Sequence, residues 1–362
     1  MKGTPFHILL QEARRSKGAT LKSVSIVTGI DAALLSHIES GRRKATRRQV
    51  EALSEAYGIP QATLMIAYLG DRIYSEFGME PHFLEALAVA ENQVQYHTKK
   101  KGEEVSDALT RLLRQCDELR VEWSALHPLS ELQLRNLQEY FDVAYTFESN
   151  RIEGNTLTLH ETSLVVQKGL TIGGKSLREH LEAINHQHAI DFIRGVAGKR
   201  EAISERLIKD IHALVLRGID PDHAGRYRPL NVRISGSSHT PPEFFQVPAE
   251  MEALIRWYQK ARKTSHPLVL AADMHQRLVN IHPFADGNGR TSRLLMNLML
   301  MRAGFPTVII RGSDQIRMAY YDALEKAHTE GTDSPFREFI AKEAIHSFTD
   351  LIHAVKGKPI QS

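Results

Sequence analysis

"IHPFADGNGRTSR", residues 281–293, sets a histidine, a proline, an aspartate, an asparagine, two glycines and two arginines between two apolar runs. The run before it, "PLVLAADMHQRLVNIH" (267–282), reads as one helix. Pro267 suits the first turn, and Leu268, Ala271, Ala272, Leu278 and Val279 mark the buried face. His275 and Leu278 lie on the side that His282 continues, and Pro283 stops the helix. The run after it, "TSRLLMNLMLMRAG" (291–304), reads as a second helix closed by Gly304. It is apolar over most of its circumference, which places it at the centre of a core.

The turn between them has the parts of a phosphate site. Gly287 and Gly289 allow backbone conformations that turn N–H groups toward the next helix's N-terminus, where partial positive charge favours an anion. Arg290 and Arg293, three apart, can converge on the same anion. Asp286 supplies a hard oxygen suited to Mg²⁺ bridging phosphates, and His282 can accept a hydroxyl proton at neutral pH. Together they describe phosphate-ester transfer. The alternative is a glycine-rich interhelical turn with an incidental histidine.

The run resembles the Fic signature His-Pro-Phe-x-(Asp/Glu)-Gly-Asn-Gly-Arg-x-x-Arg at every specified position. The resemblance extends over about residues 110 to 350. It implies a mainly helical (all-α) Fic core with a small β-hairpin flap, and transfer of AMP from ATP to a Ser, Thr or Tyr hydroxyl of a target protein. It implies His282 as general base and Asp286 as Mg²⁺ ligand. Phe284 would seat the loop, while Gly287, Asn288, Gly289 and Arg290 cradle the α- and β-phosphates and Arg293 meets the γ-phosphate. ATP and Mg²⁺ are the implied cofactors. UMP transfer, and a transcriptional regulator whose Fic core only senses nucleotide, stand as alternatives.

"SNRIEGNTLTLHET" (149–162) holds a second signal. Gly154 can end a helix, and "TLHE" from Thr158 to Glu161 is a capping box that starts another. From the residues alone Glu153 reads as a solvated carboxylate at a helix end. "SNRIEG" also resembles the Fic inhibitory pattern Ser/Thr-x-x-x-Glu-Gly/Asn, with Ser149, Glu153 and Gly154 at its fixed positions. That resemblance implies an inhibitory helix around 145–154 whose Glu153 pairs with Arg293. In some relatives the same glutamate assists removal of AMP.

"NVRISGSSHTPPEFFQVP" (231–248) reads as a hairpin or extended loop, and its stretch from Arg233 resembles the Fic flap, with Arg233, Ile234, Ser235 and Gly236 as the strand edge offered to a target's backbone. "RMAYYDALEKAH" (317–328) resembles the region around adenine; Tyr321 aligns with a nucleotide-contacting tyrosine, and His328 stands where many relatives have asparagine.

Upstream, four short helical patterns are punctuated by Gly29, Gly41 and Gly58. Leu21 to Ile59 resembles the Cro/phage-repressor helix-turn-helix, within an expected N-terminal five-helix domain. Asp31, Ala32, Ala33, Ser36 and His37 would face the major groove, and Arg42, Arg43, Lys44, Arg47 and Arg48 would meet phosphates. A charged loop on a protein-docking domain is the alternative. The expected division is a DNA-binding domain at 1–75, a helical linker at 76–109 with "HTKKKGEE" (97–104) as its most linker-like stretch, and a Fic domain at 110–355. A homodimer is the default for both parts.

The rest of the chain sets bounds. Of its 362 residues 42% are apolar and 25% charged, ordinary for a globular protein with two or three cores. One cysteine, Cys116, excludes an internal disulfide and a thiolate zinc cluster. The longest continuous apolar candidate is far short of the roughly 20 residues a membrane span needs, and the charged N-terminus is unlike a signal peptide. A cytoplasmic, soluble protein is expected.

Overall fold

The computed structural model describes residues 4–127, 129–199, 201–234 and 236–359. Two compact units, 1–100 and 101–362, divide the chain.

The first unit is built on α1 (Phe6–Ser16), α2 (Leu21–Thr28), α3 (Ala32–Glu39), α4 (Arg47–Tyr57) and α5 (Gln61–Phe77). Thr20 and Thr46 form capping boxes with Ser23 and Gln49, and Gly29 and Gly58 close α2 and α4 in the left-handed conformation. Leu10, Leu35, Val50, Leu53 and Leu64 are fully buried at its centre. Beside them Glu39, buried, accepts from Arg14 and from the Tyr57 hydroxyl, so one carboxylate ties α1, α3 and α4 together. The axes of α2 and α3 differ by 111°, within the range of a helix-turn-helix. Val27, three residues after the buried Val24, points outward at 74% exposure.

α6 (Phe83–Ala125) is one long helix, and the backbone of 97–104 lies inside it. The lysines and glutamates of that stretch favour a helix, and Gly102 alone does not break it. The second unit continues with α7 (Glu131–Ile152), α8 (Leu159–Lys168), α9 (Leu177–Lys199), α10 (Glu205–Val215), a 3₁₀ turn at Phe244–Gln246, α11 (Val247–Ala261), α12 (Pro267–Ile281), α13 (Asn288–Arg302), α14 (Asp314–Thr329) and α15 (Ser334–Val355). α12 and α13 form the axis of the core, with α7, α9 and α10 around α13 and α11, α14 and α15 around α12. Leu294, Leu295, Leu298 and Leu300 are fully buried, each contributing about 1.5–3 kcal/mol relative to exposure. α13 starts at Asn288, earlier than the apolar run suggests, so Gly289 and Arg290 belong to its first turn.

No strand occurs among the described residues, so the β-hairpin flap is corrected to an irregular segment. Its bonds go elsewhere than across a ladder. Ser237 and Ser238 donate to Glu325 of α14, and the His239 ring bonds the Asn280 carbonyl of α12. Pro241 and Pro242 have no N–H to offer a partner strand. Ser235 lies outside the described residues. No single helix among the described residues is long and apolar enough to cross a membrane.

Candidate active site

α12 ends on His282, which adopts φ +50° and ψ 57°. Among described non-glycine residues only His82 shares a positive φ, so the backbone here is held against its preference. Arg228 holds it. Its Nε donates to the His282 carbonyl at 2.8 Å, its backbone N–H donates to Pro283 at 2.9 Å, and its guanidinium reaches Pro242 of the 231–243 segment. Phe284 is fully buried and stacks on His212 with centroids 3.7 Å apart. The His212 Nδ1 accepts from Gly225, so its Nε2 carries the proton donated to the Asp286 carbonyl at 2.9 Å. Gly287 sits at φ +74°, where a side chain would also crowd Val215 and His212.

Asn288 differs from its expected role. Its Oδ1 accepts from the Phe284 N–H at 3.0 Å and its Nδ2 donates to the Phe284 carbonyl at 2.9 Å. The amide therefore staples the loop. Phe284, buried behind the loop, is likewise a support with no face for a ligand.

The start of α13 is covered by Glu153, the residue that caps α7. A Cβ on Gly289 would collide with the Glu153 carboxylate, so that carboxylate lies over the helix N-terminus where an anion belongs. Its Oε1 accepts from Arg293 Nη2 at 2.7 Å. Arg293 is 1% exposed and also donates to the Ser149 hydroxyl at 3.0 Å and the Ser149 carbonyl at 2.9 Å. Burial works against its charge, but Glu153 and neighbouring groups outweigh that and raise its pKa. Glu153 stays exposed, but its carboxylate is engaged by a partner that lies 140 residues away.

Arg290 and Arg293 do not converge on one point. Arg290, 2% exposed, lies 3.2 Å from Glu182 and 3.3 Å from Asp286. Its Nε is buried without a hydrogen-bond partner, an open demand for an acceptor oxygen. Glu182 and Arg178 of α9, together with His212 and Arg228, went unnoticed in the sequence. They have no motif spacing to the loop and matter only through packing.

Asp286 fits a divalent cation shared with phosphates. Burial pushes its carboxyl up, but Arg290, the Gly287 amide and Arg178 outweigh that and hold it below the usual range. Its side chain is 42% exposed. No group of three or more metal-binding side chains occurs among the described residues, and one carboxylate plus phosphate oxygens is what Mg²⁺ commonly takes.

Burial lowers the His282 pKa to about 4, with the Val279 backbone and Glu153 pulling upward and Arg228 and His239 downward. Its Nδ1 is buried, which leaves Nε2 to face a substrate. His212 is likewise lowered to about 4 by burial, and His186 and His275 fall well below 6.5 for the same reason. These four bind protons more readily unfolded than folded. Stability is therefore complete above pH 6.5 and is lost as pH falls from there toward 4. A melting series in non-chelating buffers should show Tm falling once pH drops below 6.5.

Of the residues expected around adenine, Tyr321 donates to the Ile152 carbonyl at 3.2 Å, beside Glu153. The His328 ring bonds the Gln276 carbonyl at 3.2 Å and lies 4.9 Å from the His239 ring. Arg233 is exposed and Ile234 half-buried. In the first unit Ser36, His37, Arg42, Arg43 and Lys44 are all exposed. Asp31, also exposed, caps α3, its Oδ1 accepting from Ala33 at 2.9 Å and Leu34 at 3.2 Å.

Comparison with known proteins agrees with this architecture. The Fic/DOC family matches residues 202–300 and a helix-turn-helix domain matches residues 8–64. Protein adenylyltransferase Fic of Drosophila persimilis is 34% identical over 310 residues, covering 84% of this chain and 60% of that protein. The chain thus spans less than two thirds of that relative's length. Two solved structures are similar. Fic-1 (residues 134–508) from C. elegans has a TM-score of 0.65 at 28% identity, covering 97% of this chain and 98% of that one. A Fic domain containing signaling protein from Bacteroides thetaiotaomicron has a TM-score of 0.63 at 29% identity, covering 68% of this chain and 99% of that one. The chain is a Fic/DOC domain protein related to protein adenylyltransferase Fic, with a helix-turn-helix domain at its N-terminal end.

Proposed function

We propose that this chain is an autoinhibited protein AMP transferase, moving AMP from ATP to a Ser, Thr or Tyr hydroxyl of a target protein and of itself, and carrying a DNA-binding module. The observation that supports this most is the Glu153 carboxylate lying over Gly289 and paired with Arg293, in a loop that also presents His282. A carboxylate there excludes an anion from a place otherwise built for one.

The residues supply each part of the reaction. The N-terminus of α13, Arg290 and Arg293 bind the triphosphate. Asp286 would hold Mg²⁺, which when bound neutralises phosphate charge. His282 Nε2 takes the proton of the attacking hydroxyl. The hydroxyl oxygen forms a bond to the α-phosphorus as the bond to the β-phosphate oxygen breaks, and pyrophosphate leaves. Nδ1 is buried, so the ring is held by packing at the end of α12. The 231–243 segment, tied to α12 and α14, would be the surface that receives a target's backbone.

Mass spectrometry after incubation with Mg²⁺ and either ATP or UTP tests this reading. AMP on the protein or on a lysate protein is expected. A UMP adduct would redirect it to another nucleotide, and no adduct in any variant would end it.

The DNA-binding part rests on the exposed cations after α3. Arg42, Arg43 and Lys44 are all exposed. Replacing all three with alanine should lower the salt dependence of DNA binding by about 3 in log–log slope, at ~0.9 per phosphate contact. Fluorescence anisotropy against salt would measure it, and an unchanged slope would favour the protein-docking alternative. A homodimer in the cytoplasm, where the single buried Cys116 would stay reduced, is part of the same proposal.

A further inference from the structure

Asp286 has two oxygens in different circumstances. Oδ1 accepts the Gly287 N–H at 2.6 Å and lies 3.3 Å from Arg290, so it is committed to the loop. Oδ2 accepts from Nη2 of Arg178 at 2.5 Å. Arg178 stands in the first turn of α9 and has a tether: its Nε lies 3.2 Å from Glu182 Oε1. Glu182 is buried and in turn sits 3.2 Å from Arg290 and accepts from Asn155 at 2.9 Å, two residues beyond Glu153. The four side chains Arg178, Asp286, Arg290 and Glu182 therefore close a ring of alternating charge. Its members are unequal: Arg290 is 2% exposed and fixed, whereas Arg178 is 58% exposed and free to leave into water.

We propose that Arg178 is a displaceable counter-ion on the metal-facing oxygen of Asp286, a positioning residue that sets how strongly divalent-cation and nucleotide binding reinforce each other. A guanidinium and a dication cannot share that oxygen, because they repel each other at contact distance. Binding of the metal with nucleotide must move Arg178 off, so the contact opposes the metal and keeps the empty carboxylate neutralised. Its exposure makes it a modest opponent rather than a block. This rests on the reading of Asp286 as the metal ligand.

Calorimetric titration of ATP, with and without Mg²⁺, tests it on the full chain carrying Glu153→Gly and His282→Ala, which binds ATP without consuming it. Adding Arg178→Ala should increase the factor by which Mg²⁺ tightens ATP by about fivefold. The gain should lie in the measurement with Mg²⁺, and Arg178→Lys should behave as the parent. With Asp286→Ala the Mg²⁺ factor should collapse, and Arg178→Ala should then change nothing. An unchanged factor in a folded Arg178→Ala protein would overturn the proposal. So would a change confined to metal-free ATP, which would make Arg178 a phosphate ligand. ATP that fails to bind, or a Mg²⁺ factor indifferent to Asp286→Ala, would instead remove the underlying reading of the site.

Discussion

Glu153→Gly is expected to raise AMP incorporation by about 10- to 100-fold, the usual range for relief of one coupled contact. The wild-type carboxylate acts twice. It accepts from Arg293 Nη2, the guanidinium a γ-phosphate needs, and it lies against Gly289 where a phosphate oxygen would approach the α13 N-terminus. Both effects oppose an anion. Glycine removes the charge and the bulk together, and the 153 backbone, at φ −84° and ψ 1°, asks nothing of the side chain. AMP incorporation followed with labelled ATP would measure the gain. Equal rates in wild type and variant would show that the ion pair is structural only.

The same substitution should cost stability. Arg293 stays buried and keeps Ser149, but it loses the only carboxylate partner it has among the described residues. Exposing that deficit costs about 2–4 kcal/mol, or roughly 5–10 °C in Tm for a domain of this size. Added ATP should stabilise the variant more than the wild type, because its γ-phosphate restores a counter-charge that Glu153 already supplies in the parent. A brake predicts this crossing of stability and activity. A surface glutamate predicts neither change.

Much of this site was readable in the chain, and the reason is local. His282, Asp286, Gly287 and Arg293 are fixed relative to one another by a single turn between two strongly patterned helices, so spacing alone reports their geometry. Thr158 and Glu161 were legible for the same reason: the capping box lies within one helical turn. What spacing could not report is who meets whom across the fold. Glu153 looked solvated because its partner is on another helix, and Glu182, Arg178, His212 and Arg228 carry no pattern that ties them to the loop. The Fic signature puts Asn288 on the phosphates, and its second task, stapling the Phe284 backbone, shows only once the loop is folded. The hairpin failed differently. The β-branched Val232 and Ile234 suggest strands, but the serines found Glu325 and the prolines offered no ladder.

His282→Ala, placed on Glu153→Gly, should reduce AMP transfer by roughly 10²–10⁴-fold while leaving ATP affinity within a few-fold, because the imidazole acts on the hydroxyl rather than on the phosphates. The split separates a base from a structural histidine. A packing role would lower ATP binding and thermal stability together. A nucleotide sensor without chemistry would leave His282→Ala indistinguishable from its parent, with no covalent product in either. The pH dependence gives a second handle. Burial brings His282 to about 4, so the ring is neutral and able to accept a proton through the whole range where an ordinary imidazole would be half protonated. Activity should be lost only as pH falls through that low value, giving kcat/KM an acid limb near 4 rather than 6.5. Glu153 pulls the imidazole upward, so the limb should sit lower still in Glu153→Gly. A limb at 6.5 would place the catalytic proton on a solvated group and take His282 out of the reaction.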